Sequence, residues 1–289
     1  MKFKADTHTH TQTLSSRIER ERERATKQDV VIWALYDDAE CSYKKGIKKH
    51  LKNFKSVNIE VHSIGINDIQ FHNKKSSKVN GNFFYHKIDL SLNNCNLVKE
   101  LKKISKKPDV ILASPPCESW SGADCDGKII RKINPNCNWI VRNHKWYEEY
   151  NKNCHPVKRR NFIQKERGRL IGESTIGGTI EIIKKFKPKV WVIENPKTSK
   201  TWEFQKNHWD FEKGYFMNDA YYSSYDSNFS LKPTIFKSNI KLNLKTDKNN
   251  NSNKNHIALG NYSKRSAIPL LLVKDLIEQI LCSKEMNLS

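Results

Sequence analysis

Two short apolar runs, each followed at once by a polar turn with reactive side chains, constrain the fold of this chain more than any other feature. The runs are residues 110–113 (VILA) and 190–193 (VWVI), and they lead into Cys117 and Glu194. Continuous apolar runs of this length are typical of parallel strands that are covered on both faces. In open α/β sheets, ligands bind in the crevice at the carboxyl ends of such strands. We therefore expect Cys117 and Glu194 to face one pocket, although they are far apart in the sequence.

The two turns resemble the fourth and sixth motifs of the cytosine-5 DNA methyltransferases. In that family a Pro-Cys nucleophile is followed later by Glu-Asn-Val, and here the matching residues are Pro-Cys117 and Glu194-Asn-Pro. Compact phage-type members share the proline. Two further segments fit the family's order, because residues 230–239 resemble the strand after the sixth motif and residues 259–281 resemble the terminal Gly-Asn motif with its helix. The likeness spans roughly residues 29–281.

This resemblance implies an α/β fold, a Rossmann-like S-adenosylmethionine-dependent methyltransferase sheet with helices on both faces, plus a small basic insert. Residues 1–28 are expected to be a polar leader, and residues 29–289 the methyltransferase domain. Within that domain we expect a basic and aromatic insert at 122–170 and a reduced recognition region at 205–255, with a mobile Asn/Lys-rich loop. The implied reaction moves a methyl group from S-adenosylmethionine to carbon 5 of a cytosine that is flipped out of duplex DNA.

The chemistry explains why a thiol and a carboxyl group are needed. Carbon 5 of cytosine is too weakly nucleophilic to take a methyl group, so a thiolate must first add to carbon 6, and a carboxyl group near ring nitrogen 3 must stabilise the charge. The resemblance assigns Cys117 as the nucleophile and Glu194 as the acid, with Asn195 beside it in the site. A thiolate is available near neutral pH when nearby cations lower its pKa. Pro115 and Pro116 stiffen the loop, because each fixes φ and removes a backbone donor.

Other interpretations of these residues remain open. A cysteine after Pro-Pro is often a small buried hydrophobic residue, and Glu194 alone would be an ordinary strand-end carboxylate. Ser114-Pro-Pro also matches the Ser-Pro-Pro-aromatic motif of the amino-methyltransferases. Cys117 replaces the aromatic ring that would stack on the base there, and together with Glu194 this favours carbon over the exocyclic nitrogen as the methylated atom.

Candidates for the methionine end of the cofactor follow the first expected strand, residues 29–38. The family has a Gly-rich turn there, which lets the backbone approach the ligand closely. This chain has no glycine before Gly46, which is a departure from the family. Asp37 and Asp38 are the residues that we expect to hold the amino group of S-adenosylmethionine.

The other cofactor candidates follow the second and third expected strands, residues 58–68 and 83–90. Asp68 is the carboxylate nearest to the family's ribose contact, and Asp89 lies where the family contacts adenine. An alternative role for Asp89 is to cap a helix expected at 97–107. The remaining predicted cofactor residues are Pro115 and Asn261.

The net charge of +21 predicts a polyanionic partner, and nucleic acid is the simplest one. We expect duplex DNA, with tRNA as the alternative, and a monomeric protein. Compositional bias is a competing explanation, because much of the excess is lysine in stretches such as 245–255.

The insert interleaves cations with aromatic residues, a pattern suited to phosphates and unstacked bases. We expect Arg159 and Arg160 to contact nucleic acid. Outside the insert, the family resemblance implies that Lys232 and Thr234 lie near the flipped base or its phosphate. A solvated, lysine-rich surface is the competing interpretation. The spacing of the insert's cysteines and histidines matches no standard zinc motif, so we expect no metal.

Seven cysteines without paired spacings predict reduced thiols and a cytoplasmic protein. No apolar run is long enough for a membrane span, and the first residues lack the apolar core of a signal peptide. Two alternative functions stay open. One is a tRNA cytosine-5 methyltransferase, because the Pro-Pro-Cys form also occurs in that branch. The other is a non-catalytic nucleic-acid-binding descendant, suggested by the missing glycines.

Overall fold

The protein folds around one twisted sheet. The computed structural model describes residues 27–37, 40–68, 82–120, 144–248, 253 and 265–287. Asp38, Asn261, almost all of the expected leader and the first part of the insert lie outside the described residues. The strands are, in chain order, β1 (Gln28–Leu35), β2 (Val57–Gly65), β3 (Phe83–Lys87), β4 (Val110–Ala113), β5 (Val190–Pro196), β6 (Phe216–Tyr221) and β7 (Pro233–Ser238).

Seven α-helices lie within the described residues, with short 3-10 turns at Leu51–Asn53, Pro156–Lys158 and Tyr222–Ser224. The helices are, in chain order, α1 (Ser42–His50), α2 (Leu97–Leu101), α3 (His144–Asn153), α4 (Phe162–Phe186), α5 (Thr201–Trp209), α6 (Leu270–Leu281) and α7 (Lys284–Asn287).

The strand order is β3-β2-β1-β4-β5-β7-β6. Strands β1 to β5 are parallel, whereas β7 is antiparallel to both of its neighbours. The chain builds one half of the sheet outward from β1 and then returns to start the other half at β4, so the order reverses between these two strands. The α/β expectation is therefore confirmed at the level of a mostly parallel mixed sheet, which is consistent with a Rossmann-like fold.

Helices cover both faces of the sheet, as expected. One hydrophobic cluster joins one face of the sheet to α1 and α6, and a second joins the other face to α2, α4 and α5. This is why β4 and the first six residues of β5 are buried throughout. Their continuous apolar runs are the sequence signal of a strand that is covered twice.

The structure corrects two local expectations. The sequence TSKTWEF at residues 198–204 suggests a short strand with aromatic anchors, but α5 begins at Thr201, and its buried residues Thr201, Phe204 and Gln205 have helical spacing. The helix expected at 97–107 ends at Leu101, and Asn96 occupies its cap position. The capping alternative for Asp89 is therefore wrong.

Helix α4 is 25 residues long and starts within the expected insert. The side chain of Asn161 caps it by accepting a hydrogen bond from the amide of Gln164 at 3.1 Å. The helix lies close to the loop after β3, because Gly178 carries no side chain: a Cβ there would lie 2.0 Å from the carbonyl oxygen of Leu90. This close approach lets α4 form one wall of the site described below.

Candidate active site

A cavity of about 550 Å³ lies where the strand order reverses, at the carboxyl ends of the parallel strands. Its walls come from the segments that follow β1 to β4, together with β5, α4 and the chain before α6. Six residues predicted from the sequence line this one cavity: Asp37, Asp89, Pro115, Cys117, Glu194 and Lys232. Clefts at such switch points are the usual ligand sites of open α/β sheets.

Cys117 and Glu194 meet because their strands are neighbours. β4 pairs directly with β5, and the loop after β4 carries the thiol beside the end of β5. Asn195 is fully buried, and its side-chain amide donates a hydrogen bond to the carbonyl oxygen of Pro115 at 3.0 Å. The hydroxyl of Ser199 donates to the other end of that amide at 2.8 Å. Asn195 thus holds the cysteine loop against β5 and does not itself line the cavity.

Glu194 is buried, and one of its carboxylate oxygens is held in place. The phenol of Tyr222 donates a hydrogen bond to Oε1 of Glu194 at 3.0 Å. Burial, and then the negative charge of Glu194, keep the pKa of Tyr222 well above its ordinary value, so this phenol remains a donor at physiological pH. The Oε2 atom of Glu194 makes no hydrogen bond to the described residues. One carboxyl oxygen therefore stays available for a ligand in the cavity.

Lys232 is the one cation among the described residues that line the cavity. Its ammonium donates to the carbonyl oxygen of Arg265 at 3.0 Å and lies 4.4 Å from the ring centroid of Tyr222. Its backbone has a φ of 34°. Thr234 is also buried, and its hydroxyl donates to the carbonyl oxygen of Lys232 at 3.0 Å. The structure thus places Thr234 where it supports the lysine, away from the cavity surface.

The pKa of the Cys117 thiol lies above its ordinary value, which favours the protonated thiol near neutral pH. Burial, and to a lesser extent the charge of Glu194, raise its pKa to about 11, whereas Lys232 acts in the opposite direction. We expected a thiolate near neutral pH, and the difference arises because desolvation outweighs the single cation.

The rate of Cys117 alkylation by iodoacetamide should therefore still rise about tenfold per pH unit between pH 8 and 10, since only the thiolate reacts. Lys232→Met should slow it a further three- to tenfold or so in that range, because the opposing charge is lost. Peptide-resolved mass spectrometry measures the rate, with exposed Cys95 as the internal reference and Lys274→Met on α6 as the control. A rate that levels off below pH 9 would contradict this account.

Asp37 lies just after β1, at the position where the family has its Gly-rich turn. Its Oδ1 accepts a hydrogen bond from the amide of Tyr43 at 3.0 Å, and its Oδ2 accepts from the amide of Lys44 and the hydroxyl of Ser63 at 3.1 and 2.8 Å. Burial raises the pKa of this carboxyl to about 6. Asp37 therefore anchors the start of α1 with its own side chain, and Cys41 takes the left-handed φ of 51° at the cap.

The two predicted ribose and adenine contacts differ in placement. Asp89 lines the cavity, and its Oδ1 accepts a hydrogen bond from the amide of Ser91 at 2.9 Å. Asp68 lies outside the lining, where it is three-quarters exposed and forms an ion pair with Lys87 at 2.5 Å. Ile66 and Asn67, which were not predicted to be contacts, line the cavity in its place. Because Ile66 is a surface aliphatic residue with no motif around it, no sequence signal marks it.

The two nucleic-acid contacts that were predicted within the insert, Arg159 and Arg160, lie in the segment between α3 and α4, outside the cavity lining. Arg159 is exposed. The guanidinium of Arg160 lies 5.2 Å from the ring centroid of Tyr150, and its backbone amide donates to the side chain of Asn151 at 2.8 Å. The structure thus places both arginines beside the start of α4.

The described residues include no group of three metal-ligating side chains placed to hold an ion. Two of the insert's cysteines, Cys125 and Cys137, lie outside them. No helix in the described part of the chain is both long and apolar enough to cross a membrane.

In comparisons with known proteins, no protein-family model matches this chain, and no curated protein matches it significantly. The case for a function therefore depends on the cavity and its side chains. Among the described residues, the cavity combines the thiol of Cys117, a carboxyl group with one free oxygen and one cation, an arrangement suited to nucleophilic addition with protonation of the product.

Proposed function

We propose that this chain is an S-adenosylmethionine-dependent DNA cytosine-5 methyltransferase with a methyltransferase-type Rossmann-like sheet. The observation that carries the proposal is that Cys117 and Glu194 share one cavity with Asp89, at the switch point of the sheet. The thiol and the carboxyl group come from adjacent strands, and Asp89 comes from the strand end on the other side. This arrangement suits a reaction between two ligands that enter one cavity from different sides.

The thiol and the carboxyl group have complementary tasks. Cys117 loses its proton to water, and the thiolate forms a bond to carbon 6 of the base. The free oxygen of Glu194 takes up this proton through water and delivers it to ring nitrogen 3, where it neutralises the charge, while Tyr222 fixes the other oxygen. Carbon 5 is then nucleophilic. After methyl transfer, water accepts the proton from carbon 5, the thiolate leaves carbon 6, and ring nitrogen 3 returns its proton to Glu194, which restores the aromatic ring.

Lys232 and Asn195 support this chemistry. The ammonium of Lys232 lowers the pKa of Cys117 and so favours the thiolate that attacks the base. The buried amide of Asn195 keeps the cysteine loop within reach of the base that Glu194 holds. A loop held in this way preserves the distance between nucleophile and base, on which addition rates depend strongly.

S-adenosylmethionine would supply an electrophilic methyl group on a sulfonium ion. The residues present fit a nucleoside of this kind, because the cavity has the size of an ordinary ligand site. Its β2 and β3 side offers apolar walls from Ile66, Ile88 and Leu90, with the carboxylate of Asp89 between them. Asp37 contributes negative charge near the β1 end, although all its described hydrogen bonds serve α1 and β2.

Titration calorimetry with S-adenosylmethionine tests the cofactor part of this proposal. We expect binding to the purified protein, and we expect Asp89→Ala to weaken it by roughly 10- to 100-fold, the usual loss for a hydrogen bond to a charged group. Asp68→Ala is the matched control, because this carboxylate lies outside the cavity lining in the loop after β2, whereas Asp89 is in the loop after β3. Absence of binding by the wild-type protein, or an equal loss in both variants, would contradict the assignment.

A non-catalytic nucleic-acid-binding protein is the second candidate. The observation that favours it is Asp37, whose side chain occupies the turn where glycines would admit the cofactor. This candidate predicts no heat of binding with S-adenosylmethionine together with full affinity for DNA. A tRNA substrate remains the alternative within the enzyme class, and competition between duplex DNA and tRNA separates the two.

A further inference from the structure

The first half of α4 has a row of side chains, with exposed isoleucines at its outer part, that leads along one face of the helix into the cavity. Ile163, Arg167, Ile171 and Thr175 follow one another at intervals of four residues, so they share one face of the helix. Ile163 is 60% exposed and Ile171 is 47% exposed, whereas Thr175 is buried. Ile171 and Thr175 both line the cavity. The row therefore runs from the protein surface through the cavity mouth to the cavity wall.

Leu170 widens this row outside the cavity lining, because it comes seven residues after Ile163 and so shares that face of the helix. It is 54% exposed and lies beside Ile171 in the helix. Ile163 is eight residues from Ile171, which corresponds to about 12 Å along the helix axis. Exposed aliphatic side chains that are grouped in this way, next to a ligand cavity, are typical of contact surfaces.

The same stretch of chain is strongly basic. Residues 156–171 include six cations and only one acid, Glu166. Arg169 forms ion pairs of 2.9 and 2.7 Å with Glu166 and Glu173, so its charge is already balanced within the helix. Lys158, Arg159 and Arg167 are exposed. A surface with this charge favours a polyanion, and the phosphates of nucleic acid are the partner that it complements.

We propose that this face of α4 docks duplex DNA, with Arg159 and Arg167 on phosphates and Leu170, which precedes the cavity-lining Ile171, as an aliphatic wedge in the base stack. The inference rests on the proposed function, because that reaction needs a base to leave the duplex and enter the cavity. An extruded base leaves a gap in the stack, and apolar side chains such as leucine and isoleucine are the residues that enter base steps in duplexes.

The chemistry of the row favours a duplex over a single strand. Proteins that bind single strands stack the bases on aromatic side chains. The exposed row of α4 has none, since its members are Ile163, Arg167, Leu170 and Ile171. A single strand offers no stacked gap for aliphatic side chains to fill, so RNA loops are a poorer fit than duplex DNA.

The wedge is tested by fluorescence anisotropy with two 24-base-pair duplexes, one intact and one with a single abasic site, which provides a ready gap. We expect the wild-type protein to prefer the abasic duplex by roughly three- to tenfold, and Leu170→Ser to lose that preference. Leu271→Ser is the matched control, because Leu271 is 50% exposed on α6 at the opposite face of the sheet. An unchanged preference in Leu170→Ser, or tighter binding of single-stranded RNA than of either duplex, would overturn the proposal.

The phosphate contacts are tested in the same assay at several salt concentrations. Arg159→Ala with Arg167→Ala should weaken binding and reduce the salt slope by about 2, because each phosphate contact adds about one unit. Lys184→Ala with Lys185→Ala is the control, since it removes two exposed cations from the other end of α4. Equal slopes for the two double variants would overturn the assignment. Neither measurement involves methyl transfer. The proposal that α4 docks DNA can therefore be refuted while the protein is an active methyltransferase, and it can be supported even if the methyltransferase assignment is refuted.

Discussion

Replacing Cys117 with alanine should reduce methyl transfer to duplex DNA by about four orders of magnitude or more, because the other cysteine in the described lining, Cys41, belongs to the start of α1 and not to the loop that follows β4 beside Glu194. The thiol is part of the cavity wall beside Glu194, and alanine fills the same backbone position without a nucleophile. Single-turnover transfer of a tritiated methyl group measures the effect. Binding of S-adenosylmethionine should be preserved, since the thiol lies on the side of the cavity away from Asp89.

Two further variants show whether the loss of activity is specific to the Cys117 thiol. Cys95→Ala should keep full activity, because Cys95 is exposed and lies outside the cavity. Cys117→Ser separates the proposal from an amino-methyltransferase, which needs no covalent bond to the base and would keep its activity in this variant. If Cys117→Ala retained more than about a tenth of the wild-type rate, covalent catalysis by this thiol would be excluded.

Replacing Glu194 with glutamine should lower the single-turnover rate by roughly 10²- to 10⁴-fold, the usual contribution of a positioned general acid. Glutamine has the same shape and its oxygen still accepts the hydrogen bond from Tyr222, so the structural role is kept while the acidic proton is lost. The same transfer assay measures the effect, and circular dichroism confirms that the fold is intact.

Glu203→Gln on α5 is the control for this substitution, because that carboxylate forms an ion pair with Lys200 at 3.2 Å on the surface side of the helix. It should leave the rate unchanged. A wild-type rate in Glu194→Gln would show that the carboxyl group supplies no proton, and the role assigned to Glu194 would then have to be abandoned.

The two apolar runs allowed the centre of the fold to be predicted. Residues 110–113 are β4 as predicted, and residues 190–193 lie within β5, because a strand that is covered on both faces needs an uninterrupted apolar run. The same principle gave the shared pocket of Cys117 and Glu194. Residues 198–204 were misinterpreted because their aromatic residues resemble a strand, whereas the buried positions in α5 repeat with a helical period.

The surroundings of the site were harder to predict, because they depend on contacts between distant segments. Tyr222 reaches Glu194 only through the pairing of β7 with β5 and the turn after β6, and no local motif marks it. Cofactor binding by Asp37, which lines the cavity, stays a prediction, and its hydrogen bonds to α1 and Ser63 are contacts that a sequence pattern cannot reveal. The pKa of Cys117 depends on burial in the same way.

The most direct test of the central claim is base-resolution cytosine-methylation sequencing of DNA from cells that lack their own methylases and express this protein. The account predicts new 5-methylcytosine at one short sequence motif, and no such mark when the Cys117→Ala form is expressed at the same level. Unmethylated DNA from cells that contain soluble, folded wild-type protein would contradict it.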